Sequence, residues 1–325
     1  MTEILQTPKL VVVFGGSGFV GRHVVRALAM RGYRIRVACR RPDLAGHLQP
    51  LGNVGQIQPI QANVRVRWSV DHAVQGADHV VNLVGILYEG GRQRFGAVQD
   101  FGARAIAEAA RSVGAGMTHV SALGASVDSE SDYARTKALG EKAVLETIPD
   151  AVIYRPSINF GPEDGFFNRF AAMARFSPVL PLLGGGATRL QPVYVGDVAE
   201  AIARSVDGAV EGGKIYELGG PKVLTFRECM QEMLAVIERK RLLVSVPWWA
   251  ARLQASILEL LPKPLLTNDQ VTQLMSDNVV SEEAIRQGRT FAATGITPRT
   301  IGAILPSYLW RFRATGQFDQ RKPAA

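Results

Sequence analysis

The 325-residue chain is poor in the residues that build metal centres and covalent staples: two cysteines, Cys39 and Cys229, and five histidines, at 23, 47, 72, 79 and 119. Two thiols make no disulfide framework, and no cysteine or histidine falls into a metal-ligand or nucleophile–base spacing. We therefore expect a reducing compartment, no metal, and histidines that are structural or exposed. No apolar run approaches the roughly 18 residues that suggest a spanning helix. The N-terminal MTEILQTPKL has no basic stretch followed by an apolar one, so no export signal is expected. Repeats and low-complexity tracts are also missing, which confines expected disorder to the ends. The formal net charge is +8, yet no helix-turn-helix, zinc-finger or RNA-binding signature accompanies it, so nucleic acid is not expected as a partner. A phosphate cofactor, an acidic protein or a lipid surface remain as anionic partners.

What is present is alternation. LVVVF from Leu10, a helix over Arg22 to Arg31, RIRVAC, VGQIQPI, a helix near Trp68 to Gln75, HVVNLVG, a helix from about Val98 to Val113, MTHVSAL and a strand at Val152 to Arg155 follow one another. Strands alternating with helices at this spacing predict an α/β fold with a Rossmann-type, doubly wound parallel sheet. Beyond it, Pro156, Gly161, Pro162, Pro178, Pro181 and the Gly184 to Gly186 triplet predict loops and the start of a second lobe. VYVGDVAEAIARSV reads as a helix that Asp197 could cap, and KIYELGG as a further strand. The expected division is a dinucleotide-binding domain over 1–156, continued near 191–220, with a smaller, mostly helical lobe over 157–190 and 221–325.

The string FGGSGFVG sets Gly15, Gly18 and Gly21 between the first strand and the first helix. In that context Gly15 permits a tight turn, Gly18 lets backbone approach a pyrophosphate, and Gly21 allows close helix packing. Ser17, Phe19 and Val20 then lie at a helix N-terminus that offers amide donors to phosphate. A plain tight turn is the bland alternative. An acidic residue about 20 positions further on would grip the ribose of NAD, but that place reads Cys39, Arg40, Arg41. Two guanidinium groups there favour the 2′-phosphate, so NADP(H) is expected ahead of NAD(H). A solvated basic loop is the alternative.

In PWWAARLQASILELLP, Pro247 to Pro262, a helical spacing puts Trp249, Leu253, Ile257 and Leu260 on one face, with Arg252 and Glu259 elsewhere. Tryptophan beside arginine suits a membrane interface, but the apolar residues spread widely round the helix, and the reading we prefer is a core-facing helix. The ERKR run at 238 to 241, with Arg311, Arg313, Arg321 and Lys322, reads as solvated surface. Glu163 and Asp164 are adjacent loop carboxylates, to which no catalytic role is assigned.

The glycine turn, NLVG at Asn82 to Gly85, YARTK at Tyr133 to Lys137 and YRPSINFGPED at Tyr154 to Asp164 together resemble the extended and atypical short-chain dehydrogenases/reductases. More narrowly, SALGAS, LLGGGATRLQPVYVGDVAEAI, LLTNDQVTQLMSDNVVS and LPSYLWRFRATGQF are similar to the dehydrogenase-like accessory subunit of respiratory complex I and its bacterial relatives. In that superfamily a tyrosine is the general acid/base and a lysine holds the nicotinamide ribose and lowers the tyrosine pKa. Tyr133 and Lys137 match those places, four residues apart on one helical face. The resemblance also places Asn63 beside adenine, Val84 and Gly85 where backbone passes the cofactor, and Pro156 near the nicotinamide. The enzymatic members carry a Ser or Thr after the fifth strand; here that place falls on Leu123, which cannot make the bond, and Ser121 or Ser126 could substitute only if the loop ran differently. The resemblance thus implies either an NADP(H)-holding accessory or assembly factor, with complex I subunits or a membrane surface as partners, or an NADP-dependent reductase, dehydratase or epimerase. The expected location is cytoplasmic, with a peripheral position on the inner membrane in the first case.

Overall fold

The computed structural model describes residues 8–262 and 264–314. Arg321, Lys322 and the TGQF end of the last C-terminal string lie outside the described residues. The chain divides into two compact units. The first comprises Met1–Pro156, Gly196–Leu218 and Val280–Thr297, and the second Ser157–Val195, Gly219–Val279 and Pro298–Ala325.

The first unit is built on β1 (Leu10–Phe14), β2 (Arg34–Cys39), β3 (Ile57–Gln61), β4 (His79–Asn82), β5 (Gly116–Val120) and β6 (Val152–Pro156), with a seventh strand at Ile215–Leu218. Their order is Ile215–Leu218, β6, β5, β4, β1, β2, β3, and every pairing is parallel. A buried parallel strand reads as a continuous apolar run, and all five residues of β1 are buried. Four helices follow in sequence, α1 (Phe19–Ala29), α2 (Arg67–Ala73), α3 (Phe101–Ser112) and α4 (Asp132–Thr147). Val12, Phe14, Val80, Met117 and Ile153 pack with Val70 of α2, Ile106 and the alanines of α3, and Val144 of α4. The strand order reverses between β1 and β4, where parallel α/β sheets open a crevice for ligands.

The segment Val280–Thr297 belongs to this unit, not to the second lobe where the sequence pattern placed it. The Glu217 N–H donates to Arg289 O at 2.9 Å, and the Arg289 guanidinium donates back to Ile215 O at 2.6 Å. The segment thus covers the edge of the last strand, which would otherwise present unpaired backbone groups.

The second unit is more regular than its prolines and glycines suggest. The expected loops contain a helix, Phe167–Phe176, and a strand, Val179–Leu183, which pairs in parallel with Leu242–Val246. Its core gathers Phe160, Phe167, Leu180, Leu182, Met230, Met233, Leu305 and Leu309. Asp164, buried, organises the preceding loop by accepting from the Gly161, Phe166 and Asn168 N–H groups and from the Tyr308 hydroxyl at 2.5 Å. Asp197 lies within the first turn of the helix Val195–Val206, two residues inside its start.

The helix Trp248–Leu258 corrects the core-facing reading. It packs through Ala251 and Ala255 against Leu183 and Val271, and the Trp248 ring lies so close to Gly184 that a Cβ there would fall 2.0 Å from it. Trp249 is 72 % exposed, Leu253 60 %, Ile257 61 % and Leu260 85 %. The small residues and Trp248 seat this helix, leaving Trp249, Leu253 and Ile257 in solvent.

Candidate cofactor site

The turn after β1 is fixed by contacts that only glycine permits. Gly15 has φ +80°, and a Cβ on it would lie 3.2 Å from Leu83 C and 3.3 Å from Val84 N, so the turn and the end of β4 are nearly in contact. A Cβ on Gly21 would lie 2.3 Å from Gly15 O, which no side chain tolerates. Gly18 caps α1 without a side-chain bond, and the first turn of α1 carries no acidic residue. The positive end of the helix dipole is therefore not offset from within the helix, which suits an anion. Ser17, Phe19 and Val20 are half-buried around that end.

At the end of β2 the two arginines differ. Arg41 is engaged with Asp43, its Nη2 2.7 Å from Oδ2, whereas Arg40 is exposed and forms no ion pair among the described residues. Cys39 is buried, and desolvation, partly offset by bonds from Arg41 backbone and Ser17, raises its thiol pKa. A neutral thiol thus stands where NAD sites place a carboxylate. Asn63 uses its Oδ1 to accept from Arg65 N at 3.2 Å, closing a short turn after β3.

The other end of the candidate site is organised by residues the sequence reading did not single out as a pair. Asn82 and His119 are register partners on β4 and β5. Asn82 Oδ1 accepts from Val84 N at 3.0 Å, and its Nδ2 lies 3.0 Å from His119 Nδ1, which fixes the backbone carrying Val84 and Gly85. His119 is 1 % exposed, and burial, with the Lys137 charge as a smaller cause, pushes its pKa down to about 3. It is a neutral scaffold group at ordinary pH.

Ser131 caps α4, accepting from Ala134 N at 3.2 Å, and sets Tyr133 and Lys137 one turn apart. Lys137 is buried, and its Nζ donates to Val120 O at 3.0 Å. Burial lowers its pKa to about 8 against the opposing pull of Glu141. A Cβ on Gly85 would lie 3.2 Å from Lys137 Nζ, so the small residue after β4 is what admits the ammonium. Tyr133 is half-buried, its ring edge-on to Phe95 at 6.0 Å. Leu123 is 6 % exposed and its N–H donates to Pro156 O, so the loop after β5 buries an apolar side chain at the position where the resemblance expects a hydroxyl. Ser126 is exposed. Ser121 is buried with its Oγ unpaired among the described residues.

A groove of about 630 Å³ opens on the first unit beside α4, lined by Ser126, Ala138, Glu141, Lys142, Leu145 and Arg155 among others. It contains none of the candidate cofactor residues, and the glycine turn, Val84, Gly85 and Lys137 are joined instead by the contacts above.

Residues 11–219 match the NAD dependent epimerase/dehydratase family. The chain belongs to that family. Members with similar sequence include the Arabidopsis thaliana protein named NADH dehydrogenase [ubiquinone] 1 alpha subcomplex subunit 9, mitochondrial, 35 % identical over 94 % of this chain and 79 % of its own. The Neurospora crassa NADH-ubiquinone oxidoreductase 40 kDa subunit is 30 % identical over 94 % of this chain and 80 % of its own. A Caulobacter vibrioides ceramide reductase is 34 % identical over 73 % of this chain and 74 % of its own. The fold is also that of family enzymes of low identity. A Streptomyces venezuelae dTDP-glucose 4,6-dehydratase solved with NAD has TM-score 0.70 at 20 % identity, covering 93 % of this chain and 96 % of that one. A Thermus thermophilus UDP-glucose 4-epimerase, also with NAD, has TM-score 0.66 at 19 % identity, covering 94 % of this chain and 99 % of that one.

Among the described residues no helix is long and apolar enough to cross a membrane, and no cluster could hold a metal ion.

Proposed function

We propose that this protein holds NADP(H) as a structural element and serves as an accessory or assembly factor of a membrane respiratory complex of the complex I type. The observation that carries this reading is the contrast inside one site: the glycine turn and Lys137 are built for a dinucleotide, while buried Leu123 occupies the place of the hydroxyl that polarises a substrate. Similarity to complex I subunits over 94 % of the chain supports it. Gly15, Ser17, Gly18, Phe19, Val20 and Gly21 would surround the pyrophosphate, Asn63 the adenine, Val84, Gly85 and Pro156 the nicotinamide side, and Tyr133 and Lys137 its ribose. The bound dinucleotide supplies hydride chemistry where a substrate is present. NADP(H) is favoured by Arg40, which forms no ion pair among the described residues, and by the neutral thiol of Cys39.

A peripheral place on the cytoplasmic face of the inner membrane is supported by the ridge of Trp249, Leu253, Ile257 and Leu260 on the second unit. An aliphatic side chain of this size that leaves water contributes about 1.5–3 kcal/mol. Phe176, Leu242 and Val244 are exposed on the same unit, and Arg175, Lys240 and Arg241 adjoin them in sequence. Apolar surface with nearby cations is the chemistry of an anionic bilayer boundary.

A second reading, an NADP-dependent reductase, is favoured by Tyr133 and Lys137 and by the reductases among the relatives. Native extraction from solubilised membranes separates the two. We expect the protein to co-migrate with a large assembly and to carry NADP(H), and purified protein to oxidise NADPH with no member of a ketone and quinone panel. Turnover that Tyr133→Phe abolishes by orders of magnitude, with no co-migrating chain, replaces the accessory reading with the reductase.

A further inference from the structure

We propose that Glu141 is a positioning residue for the cofactor site, acting through Lys137. Glu141 stands one turn beyond Lys137 on α4, and both are buried. Its carboxylate takes the Arg155 guanidinium in a fork, 2.8 Å to Nε and 2.6 Å to Nη2. The other side of that guanidinium faces Glu217, with Nη1 3.8 Å from Oε1, and Glu217 is itself anchored by the Ser281 N–H at 2.7 Å. The side chains of Glu141, Arg155 and Glu217 are 4 %, 20 % and 10 % exposed.

The arithmetic of this buried group is what assigns the role. Two carboxylates on one guanidinium leave a surplus negative charge, on side chains largely withdrawn from water although Glu141 and Arg155 also border the groove beside α4. Lys137 supplies the balancing positive charge from the adjacent turn. The other groups facing Lys137 add no charge at neutral pH: His119 on β5 is neutral, Asn82 on β4 is an amide, and the Val120 carbonyl accepts its bond. Tyr133 lies one turn before it on α4. Burial alone pulls the Lys137 ammonium toward neutrality, and Glu141 opposes that pull. Removal of Glu141 leaves a self-neutralised Arg155–Glu217 pair and strands Lys137.

The inference rests on the reading that Lys137 contacts the cofactor, and titration of NADPH affinity between pH 6 and 10 tests both. In the wild type we expect affinity to be level up to about pH 8 and to fall above it, as Lys137 loses its charge. Glu141→Gln should move that break at least one pH unit lower, so that affinity at pH 8 drops about five-fold or more while affinity at pH 6 stays within about two-fold. Arg155→Gln should move the break upward, because the Glu141 carboxylate, freed of its guanidinium, then acts undivided on Lys137, and Glu141→Asp should restore the break that Glu141→Gln lowers. A structural role would lower affinity at every pH in both variants and leave the break in place, which overturns the proposal. The opposite sign for Arg155→Gln keeps the test open if Glu141→Gln does not fold. Lys137→Met separates the layers: wild-type affinity in that variant sinks the cofactor reading of Lys137 itself, whereas weakened binding with an unshifted Glu141→Gln break sinks only the role of Glu141. The same series with NADH excludes titration of the 2′-phosphate as the source of the break.

Discussion

Two helices use alanine in the same way and leave opposite surfaces behind. On α3, Ala103, Ala105, Ala107, Ala109 and Ala110 bury with Ile106, and the outward positions carry Arg104, Glu108 and Arg111. On Trp248–Leu258, Ala251 and Ala255 bury, and the outward positions carry Trp249, Leu253 and Ile257. Small residues let both helices sit close to their support. What differs is the outward face along the body of each helix, which is charged on α3 at Arg104, Glu108 and Arg111 and apolar on the other at Trp249, Leu253 and Ile257. An apolar stripe therefore states which residues share a face and not whether the fold covers that face.

The contrast is broken most forcefully by exchanging the characters of the two faces. Trp249→Asp with Leu253→Asp is expected to abolish sedimentation with membranes while shifting stability by no more than about 0.5 kcal/mol, as for other surface changes. Ile106→Ala should do the reverse, costing about 2–5 kcal/mol with attachment unchanged. Vesicle sedimentation and denaturant unfolding measure the pair. Salt sharpens the result, since raising it from 0.1 to 1 M shortens the Debye length from about 10 to about 3 Å and releases attachment that is electrostatic alone. Retention of the double variant on membranes ends the case for the ridge.

A smaller effect separates the two arginines of the first unit. NADPH at about 100 times its dissociation constant should stabilise the protein by about 2.7 kcal/mol, and NADH at the same concentration by much less. Arg40→Ala should erase that difference more fully than Arg41→Ala, because Arg41 already shares its charge with Asp43. Equal thermal shifts from both nucleotides would end the NADP assignment.

A further effect is confined to the buried scaffold. His119 has its folded pKa depressed to about 3, below the unfolded value of about 6.5, so its contribution is present above that unfolded value and is lost as pH falls. Stability should decline by about 1.4 kcal/mol per pH unit from this residue between roughly pH 6 and 4. His119→Asn should flatten that part of the profile, and an unchanged slope would show that His119 is not held neutral.

These regions also divide what the sequence made legible. The glycine turn could be read because its requirements are local: Gly15, Gly18 and Gly21 meet one another within seven residues. The apolar strands could be read because burial on both faces leaves no polar alternation. The Asn82–His119 pair could not, since it depends on the register between β4 and β5. The return of Val280–Thr297 was hidden for a different reason. It is held by a backbone bond from Glu217 N–H to Arg289 O and by the Arg289 guanidinium on Ile215 O, and neither carbonyl acceptor leaves a side-chain signature. The helix Phe167–Phe176 was masked by the prolines and glycines on either side, although Phe167 and Phe170 pack into the second core.

The covered edge of the sheet has a consequence for biosynthesis. The last strand is complete when Leu218 leaves the ribosome, but the segment that covers its edge begins only at Val280. At about 5–20 residues per second, roughly 3–12 s pass between the two. Throughout that interval the sheet lacks its final edge cover, and part of the other unit is synthesised meanwhile. The nascent chain therefore carries an open parallel edge, a surface suited to chaperone capture or to mispairing with a neighbouring nascent chain.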